Sequence, residues 1–435
     1  MEQEKIIRLL REEMVVAMGC TEPAASALAG SKARELLGAL PERLTVYASR
    51  DMVKNAMSVG IPNCTERGLL TAVCLGVYSQ AEKKDLSILS TVDEGQRQSA
   101  ARLAERSRLE LVEQVPPVYV RVAAEGGGHT ASCTVSIQHD HFSQLTRDGE
   151  ILFQEQAHGS AEGGDAADFS IINTLDVRRI LEFATTVDKE QVAFVLESAR
   201  TNRSLAHYSI EHDCGLKIAR TALSDLPEKP ETLSQAMTYA AAYAAAGSDA
   251  RMSGCPKAVV INSGSGNQGI TCTVPVLILA EYLNSDEDKL IEALCISELV
   301  GLLITARKDR LSALCGAFTA AMGAGCGMVR LMDGGIKEMN LVIRTMVGNL
   351  AGIVCDGAKT SCALKIYSSV EAAALAVRMA FNGDAPGRES GIIGADAMES
   401  IDNLMNISHN GMVDTDKVIL SSMLDKQGGT PNQAE

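Results

Sequence analysis

At 435 residues the chain exceeds what one small hydrophobic core serves, so two domains are expected. A formal net charge of −15 with no clustered run of Lys or Arg excludes nucleic acid and other polyanions as partners. No apolar run reaches the about 18 uninterrupted residues that a membrane span needs, and Met1 leads into Glu2, Glu4 and Lys5 rather than a leader, so a cytoplasmic protein is expected.

Residues 2–17 carry Ile6, Ile7, Leu9, Leu10 and Met14 at helical spacing, and Gly19 ends the run. Thr21 is placed to cap a second helix through Leu37, with Glu22 and Pro23 in its first turn. Arg43–Ser49 alternates as a strand does, 51–64 reads as a loop, and an apolar helix follows from about Arg67 to Gln80. Strands are expected at 87–92, 109–112, 118–123, 131–138 and 149–154, with a turn at Gly126–Gly128 and linker-like material at 156–166.

Beyond that point the pattern is helical, over 173–185, 189–226, 232–246, 273–283, 286–306 and 311–324. Ser285 with Asp288 resembles a capping box, and 427–435 reads as a disordered polar tail. With 46% apolar residues, only 3% aromatics and no Trp, the core must be built from Ala, Leu, Ile, Val, Met and Cys. The fold class expected is α+β: a mixed α+β domain over 1–165 and a larger helical domain over 166–435.

Twelve cysteines are the compositional anomaly. A reducing compartment argues against disulfides, and Cys64, Cys74, Cys133, Cys214, Cys255, Cys272 and Cys295 read as small buried hydrophobes. Cys355 and Cys362 flank an Asp-Gly turn in GIVCDGAKTSCALK, a loop able to curl around an inorganic cluster. Cys315 opens a small-residue helix forty residues earlier. Three such thiolates can hold three corners of a four-iron cluster; three inert buried thiols explain the same spacing. Cys326, farther along the Cys315 segment, reads as a packing residue. Cys20 directly precedes the helix expected from Thr21, where the dipole and open amides would favour a thiolate.

The stretches GCTEPAA (19–25), KNAMSVGIPN (54–63), NSGSGNQGI (262–270) and MVGNLAGIVCDGAKTSCAL (346–364) resemble the L-cysteine desulfidase family. That family is itself similar to the α-domain of iron–sulfur L-serine dehydratases. The resemblance runs over nearly the whole chain. It implies a [4Fe-4S] cluster on Cys315, Cys355 and Cys362 with one open iron. It also implies a catalytic Cys20, which would take the Cα proton or occupy the open iron until substrate arrives. The implied reaction is β-elimination of L-cysteine to hydrogen sulfide, ammonia and pyruvate. Serine dehydratases use a wider gap between their last two ligands than Cys355–Cys362, which favours cysteine.

Gly264, Gly266 and Gly269 spell a dinucleotide fingerprint, yet no second strand and no acidic strand end follow. The loop instead reads as a polar cradle at a helix start, where amides with Ser263, Ser265 and Asn267 would bind a carboxylate. Lys54 is a candidate counter-charge, or simply a solvated lysine. His139 and His141 around Asp140 read as a polar turn, since a metal pair would need a third ligand nearby. The partner expected is a small amino-acid substrate, with a homodimer as the default assembly. The rivals are an L-serine dehydratase and a non-catalytic ligand-binding protein.

Overall fold

Alternating burial along residues 119–126 shows how the sheet is built: every second side chain turns inward. The structure, a computed structural model, describes residues 2–64, 66–82, 84–155, 170–308 and 312–428. Its strands are β1 (Val16–Met18), β2 (Arg43–Ser49), β3 (Arg108–Val112), β4 (Tyr119–Gly126), β5 (His129–Ser136), β6 (Phe142–Arg147), β7 (Glu150–Gln154) and β8 (Ala258–Val260). Six of them form one mixed sheet in the order β3-β2-β4-β5-β6-β7, with only β2 and β3 parallel. Two-residue turns close the hairpins β4–β5 and β6–β7. Gly127 and Gly128 (φ +60° and +80°) and Asp148 and Gly149 (φ +49° and +84°) supply the left-handed pairs that such turns require.

The helix Thr21–Leu37 packs on β4 and β5, and the helix Leu69–Tyr78 packs on its other side. These two helices touch backbone to backbone. A Cβ on Gly76 would lie 2.0 Å from the Ala27 carbonyl oxygen, and one on Gly30 would lie 2.3 Å from that of Val73. The helical part repeats the device, with Gly323 facing the Ser297 carbonyl at 2.3 Å. Here the helices Leu233–Met252, Gly266–Leu283, Glu287–Lys308, Gly316–Leu331 and Cys362–Phe381 pack on one another. A chain so poor in aromatics fills its interior by bringing backbones together.

The molecule is α+β, with a large helical part, as expected. β1 pairs with β8, from Val16 opposite Val260 to Met18 opposite Ala258, 240 to 244 positions apart, and so straps the first segment to the helical part. One hydrophobic cluster runs from Ile6 to Met405.

Several local expectations change. The first helix stops at Glu13, because 16–18 are taken by β1. Arg50–Ala56 is a short helix capped by Ser49 rather than a loop. Residues 87–92 form turns, led by Ile88 N–H to Asp85 O at 3.0 Å and Ser90 N–H to Ser87 O at 2.8 Å. A helix at Glu94–Ala104 and strand β6 were not anticipated. The helix expected over 173–185 is broken at Asp176, which caps Val177–Thr186. The long one over 189–226 is interrupted by left-handed Asp213, Gly215 and Lys217. Asp286, not Ser285, caps the helix Glu287–Lys308 by accepting from the Lys289 amide at 2.8 Å. The helix Val413–Gly428 runs two residues into the expected tail. The linker 156–166 and residues 429–435 lie outside the described residues.

The backbone contacts make a direct prediction. Gly76→Ala lowers unfolding stability by about 1–3 kcal/mol or more through overpacking. Gly95→Ala, on an uncrowded helical turn, is neutral or stabilising by up to about 1 kcal/mol. Urea midpoints of the two variants check both signs.

Candidate active site

The β1–β8 pairing delivers residues 19–22 to the turn that follows β8. There Asn262 and Ser265 exchange backbone hydrogen bonds of 3.1 and 2.9 Å around left-handed Ser263 and Gly264 (φ +51° and +77°). Thr21 Oγ1 donates to the Gly264 carbonyl at 2.8 Å, and Arg251 Nε donates to that of Gly19 at 3.1 Å. Ser265 caps the helix Gly266–Leu283, which starts seven residues earlier than expected and so ends its open amides at this turn. Gly269 lets that helix lie against β8: its Cβ would sit 2.1 Å from the Val260 oxygen.

Three thiols reach the same place from the other side. Leu314 and Val354 form an antiparallel bridge, with Cys315 N–H to Ile353 O at 3.0 Å and Cys355 N–H to Ala313 O at 2.6 Å. Cys315 thereby caps the helix Gly316–Leu331, and the chain after Cys355 turns through Gly357 (φ +89°) to start the helix at Cys362. A Cβ on Gly357 would meet the Lys54 carbonyl at 2.4 Å, so the loop closes directly on the helix Arg50–Ala56.

All three thiols line one cavity of about 90 Å³, space for several waters at roughly 10–15 Å³ each. They act on each other electrically. Burial, then Cys355 and Cys362, push the Cys315 thiol up to about 12; burial, then Cys355, raise Cys362. Opposing this, backbone hydrogen bonds from Ala317 and Lys359 and the charge of Lys365 favour the thiolates. Among the described residues no group of His, Cys, Asp or Glu is disposed to hold a single metal ion. One zinc ion would draw its thiolates to roughly 4 Å of one another. A polynuclear cluster instead takes its cysteines at separate corners, and its sulfurs accept amide hydrogens of the kind found here. Three cysteines on one cavity wall, with backbone hydrogen bonds to two of their sulfurs, are donors of the kind an iron–sulfur cluster takes.

Lys54, Ser263, Ser265 and Asn267 line this cavity as well. Their side chains are already engaged. Ser263 Oγ donates to Asn262 Oδ1 at 2.8 Å, Ser265 Oγ accepts from the Gln268 amide, and Asn267 Oδ1 accepts from Ser248 Oγ at 3.2 Å. The backbone amides are thus the better carboxylate donors in this cradle. Lys54 is not a solvated lysine: it is 1% exposed and paired with Asp51 and Asp416. Burial pulls its ammonium down, but Cys355, Asp51 and Asp416 together outweigh this and hold it above its ordinary range.

Two expectations are corrected. Cys20 does precede the helix Thr21–Leu37, but burial raises its thiol to about 12 despite the nearby Arg251, so the helix start does not make it a ready thiolate. Cys20, not Thr21, occupies the N-cap position, without a side-chain capping bond; it packs with Val59, Met252, Ala358 and Cys362 and is not among the residues lining the cavity. His139 lies in the turn between β5 and β6, as expected, yet it is 4% exposed, lines the cavity, and sets Nε2 3.9 Å from Glu22 Oε1. His141 pairs elsewhere, with Glu155 at 2.9 Å.

Sequence reasoning also missed Glu22, Asn55, Arg251, Gln268 and Lys308 on the cavity wall. Glu22, Asn55 and Gln268 sat inside quoted motifs without being singled out. Arg251 and Lys308 carry no local signal. Arg251 has no ion-pair partner among the described residues, although it is 3% exposed.

The family model described as serine dehydratase alpha chain matches residues 83–421, which include all three thiols. The chain belongs to the serine dehydratase alpha chain family. Similarity at full length extends to proteins named UPF0597. The one from Oleidesulfovibrio alaskensis is 38% identical over 98% of this chain and 99% of its own. Those from Phocaeicola vulgatus and Aeromonas hydrophila are 37% and 36% identical, over 98% and 97% of this chain and 98% and 96% of theirs. Membership points to a serine dehydratase-like lyase. No helix among the described residues is long and apolar enough to cross a membrane.

Within the site of this family member, Glu298 is a buried support. Its carboxyl accepts from Asn262 Nδ2, and burial, opposed by that bond, raises it to about 8. An unfolded Glu titrates near about 4.3. The folded state therefore holds the proton more tightly, and the stability this contributes is lost as pH climbs toward and through about 8. Thermal melts between pH 5 and 9 should show the wild type losing ground to Glu298→Gln as pH rises; a constant difference contradicts this.

Proposed function

We propose that the protein is an iron–sulfur lyase that eliminates hydrogen sulfide from L-cysteine, leaving pyruvate and ammonia. The observation that carries this reading is the meeting of Cys315, Cys355 and Cys362 on one buried, cation-lined cavity beside an amide-rich helix start. These three residues would hold the cluster. When bound, it supplies a Lewis acid at an iron without a protein ligand, which favours departure of a soft sulfur leaving group.

The chain's own groups do the rest. Arg251, fixed through Nε on the Gly19 carbonyl, presents its remaining donors to the substrate carboxylate, together with the first amides of the helix Gly266–Leu283. Lys54, locked by Asp51 and Asp416, keeps a positive charge beside Cys355. Cys20 stands against Cys362 as a further sulfur in reserve. Thr21, bridging to Gly264, holds the two halves of the pocket in register.

Cysteine is preferred as substrate because the four quoted motifs and the close Cys355–Cys362 spacing resemble the desulfidases. The second reading, L-serine dehydratase, draws support from the description of the matched family. Anaerobic assays on both amino acids separate them: sulfide and pyruvate should appear together from L-cysteine, with L-serine turned over far more slowly. Faster pyruvate formation from L-serine reverses the choice, and no turnover of either rejects the lyase. Arg251→Gln should raise KM for L-cysteine by roughly 10- to 100-fold, the worth of a charged hydrogen bond. An unchanged KM removes Arg251 from substrate binding.

A further inference from the structure

We propose that His139 is the general base that takes the Cα proton, with Glu22 as its positioning residue. This rests on the lyase reading and assigns the step that reading leaves open.

Position argues first. Among the described residues His139 is the one imidazole on the cavity wall, brought there by the turn between β5 and β6. Neighbouring Asp140 is exposed, and His141 is paired with Glu155, so neither shares the site. The remaining candidate bases are less suited. Cys20 is not among the lining residues, Lys54 is held by two carboxylates, and on the lyase reading the three other thiols would hold the cluster.

Glu22 has the properties of a partner rather than a base. Its Oε1 accepts from Asn55 Nδ2 at 3.0 Å, and its Oε2 lies 3.2 Å from Thr21 Oγ1. The Asn55 bond keeps Oε1, the oxygen that faces His139, as an acceptor. From 3.9 Å a carboxylate there steadies the imidazole and stabilises it once it takes up a proton. Arg251, Lys54 and Lys308 are the cations lining the same cavity, and Arg251 carries donors free to meet an anionic substrate.

The step balances without an oxidant. The Cα–H bond breaks, its proton passes to the imidazole, and its electron pair becomes the Cα–Cβ double bond. The Cβ–S bond breaks with its pair leaving on sulfur, and the imidazolium proton follows as hydrogen sulfide is released. The aminoacrylate left behind takes up water and yields pyruvate and ammonia.

The test is made on cluster-loaded protein with His139→Gln, His139→Asn and Glu22→Gln. For both His139 variants kcat should fall about 10²- to 10⁴-fold, with KM within a few-fold and cluster absorbance as in the wild type. Glu22→Gln should shift the acid limb of the kcat profile to lower pH, because loss of the carboxylate makes the imidazole a weaker base. Retention of kcat within about three-fold in either His139 variant, or an unmoved limb in Glu22→Gln, overturns the proposal. A separate arm needs no turnover: L-alanine, which lacks a leaving group, should shift the His139 ring resonance in NMR spectra. If wild-type protein turns over neither amino acid, the lyase reading fails and this arm decides alone. No shift then overturns the placement of His139 at the substrate, and a shift supports it.

Discussion

The antiparallel bridge between Leu314 and Val354 is the contact on which the site depends. It is two backbone hydrogen bonds long, yet it fixes the start of the helix Gly316–Leu331 against the loop that leads to Cys362–Phe381. Cys315 and Cys355, forty positions apart, become neighbours because of it. Bonds this short in reach are stable only where the surrounding helices exclude water, and the glycine-lined backbone contacts of the helical part provide that enclosure. The β1–β8 pairing plays the matching role for the opposite wall, carrying Cys20, Thr21 and Glu22 to the Asn262–Ser265 turn.

Electrostatics then distinguishes the cavity from the molecule around it. A chain with a net charge of −15 points Lys54, Arg251 and Lys308 into one buried space, and places Lys365 where it acts on two of the thiols. Burying that much positive charge is costly unless anions answer it. Asp51 and Asp416 answer Lys54, and Asp356 answers Lys365. Arg251, with no ion-pair partner among the described residues, suits the carboxylate of an amino acid. The same enclosure raises the Cys315 and Cys362 thiols: burial and mutual repulsion disfavour their ionised forms.

How much of this was legible in the sequence differs by element. Strand Arg43–Ser49 and the Gly127–Gly128 hairpin carry strong local signals, alternation in one case and left-handed turn chemistry in the other, and the structure has both. Helix Arg50–Ala56 is too short to show a period, and the start of Gly266–Leu283 is hidden in glycine and serine that read as loop. Cys315, Cys355 and Cys362 were found through a motif, and their meeting in one cavity follows from tertiary pairing that no spacing encodes. The polar turn at His139, Asp140 and His141 is legible, but not that His139 alone of the three is buried. Its partner in the cavity, Glu22, lies 117 positions away in sequence. Cys20 erred in the other direction, since its position at a helix start is legible but the cost of its burial is not.

The central claim is that one cluster is shared by three thiols, and metal content tests it most directly. Iron and acid-labile sulfide should be counted per chain in protein purified without oxygen, for the wild type and for single Cys→Ser variants at 315, 355, 362 and 326. The account predicts about four of each per wild-type chain, a marked loss in the first three variants, and wild-type content in Cys326→Ser, whose thiol is buried in packing. Equal content in all five proteins, or a single zinc ion in place of iron, would contradict it.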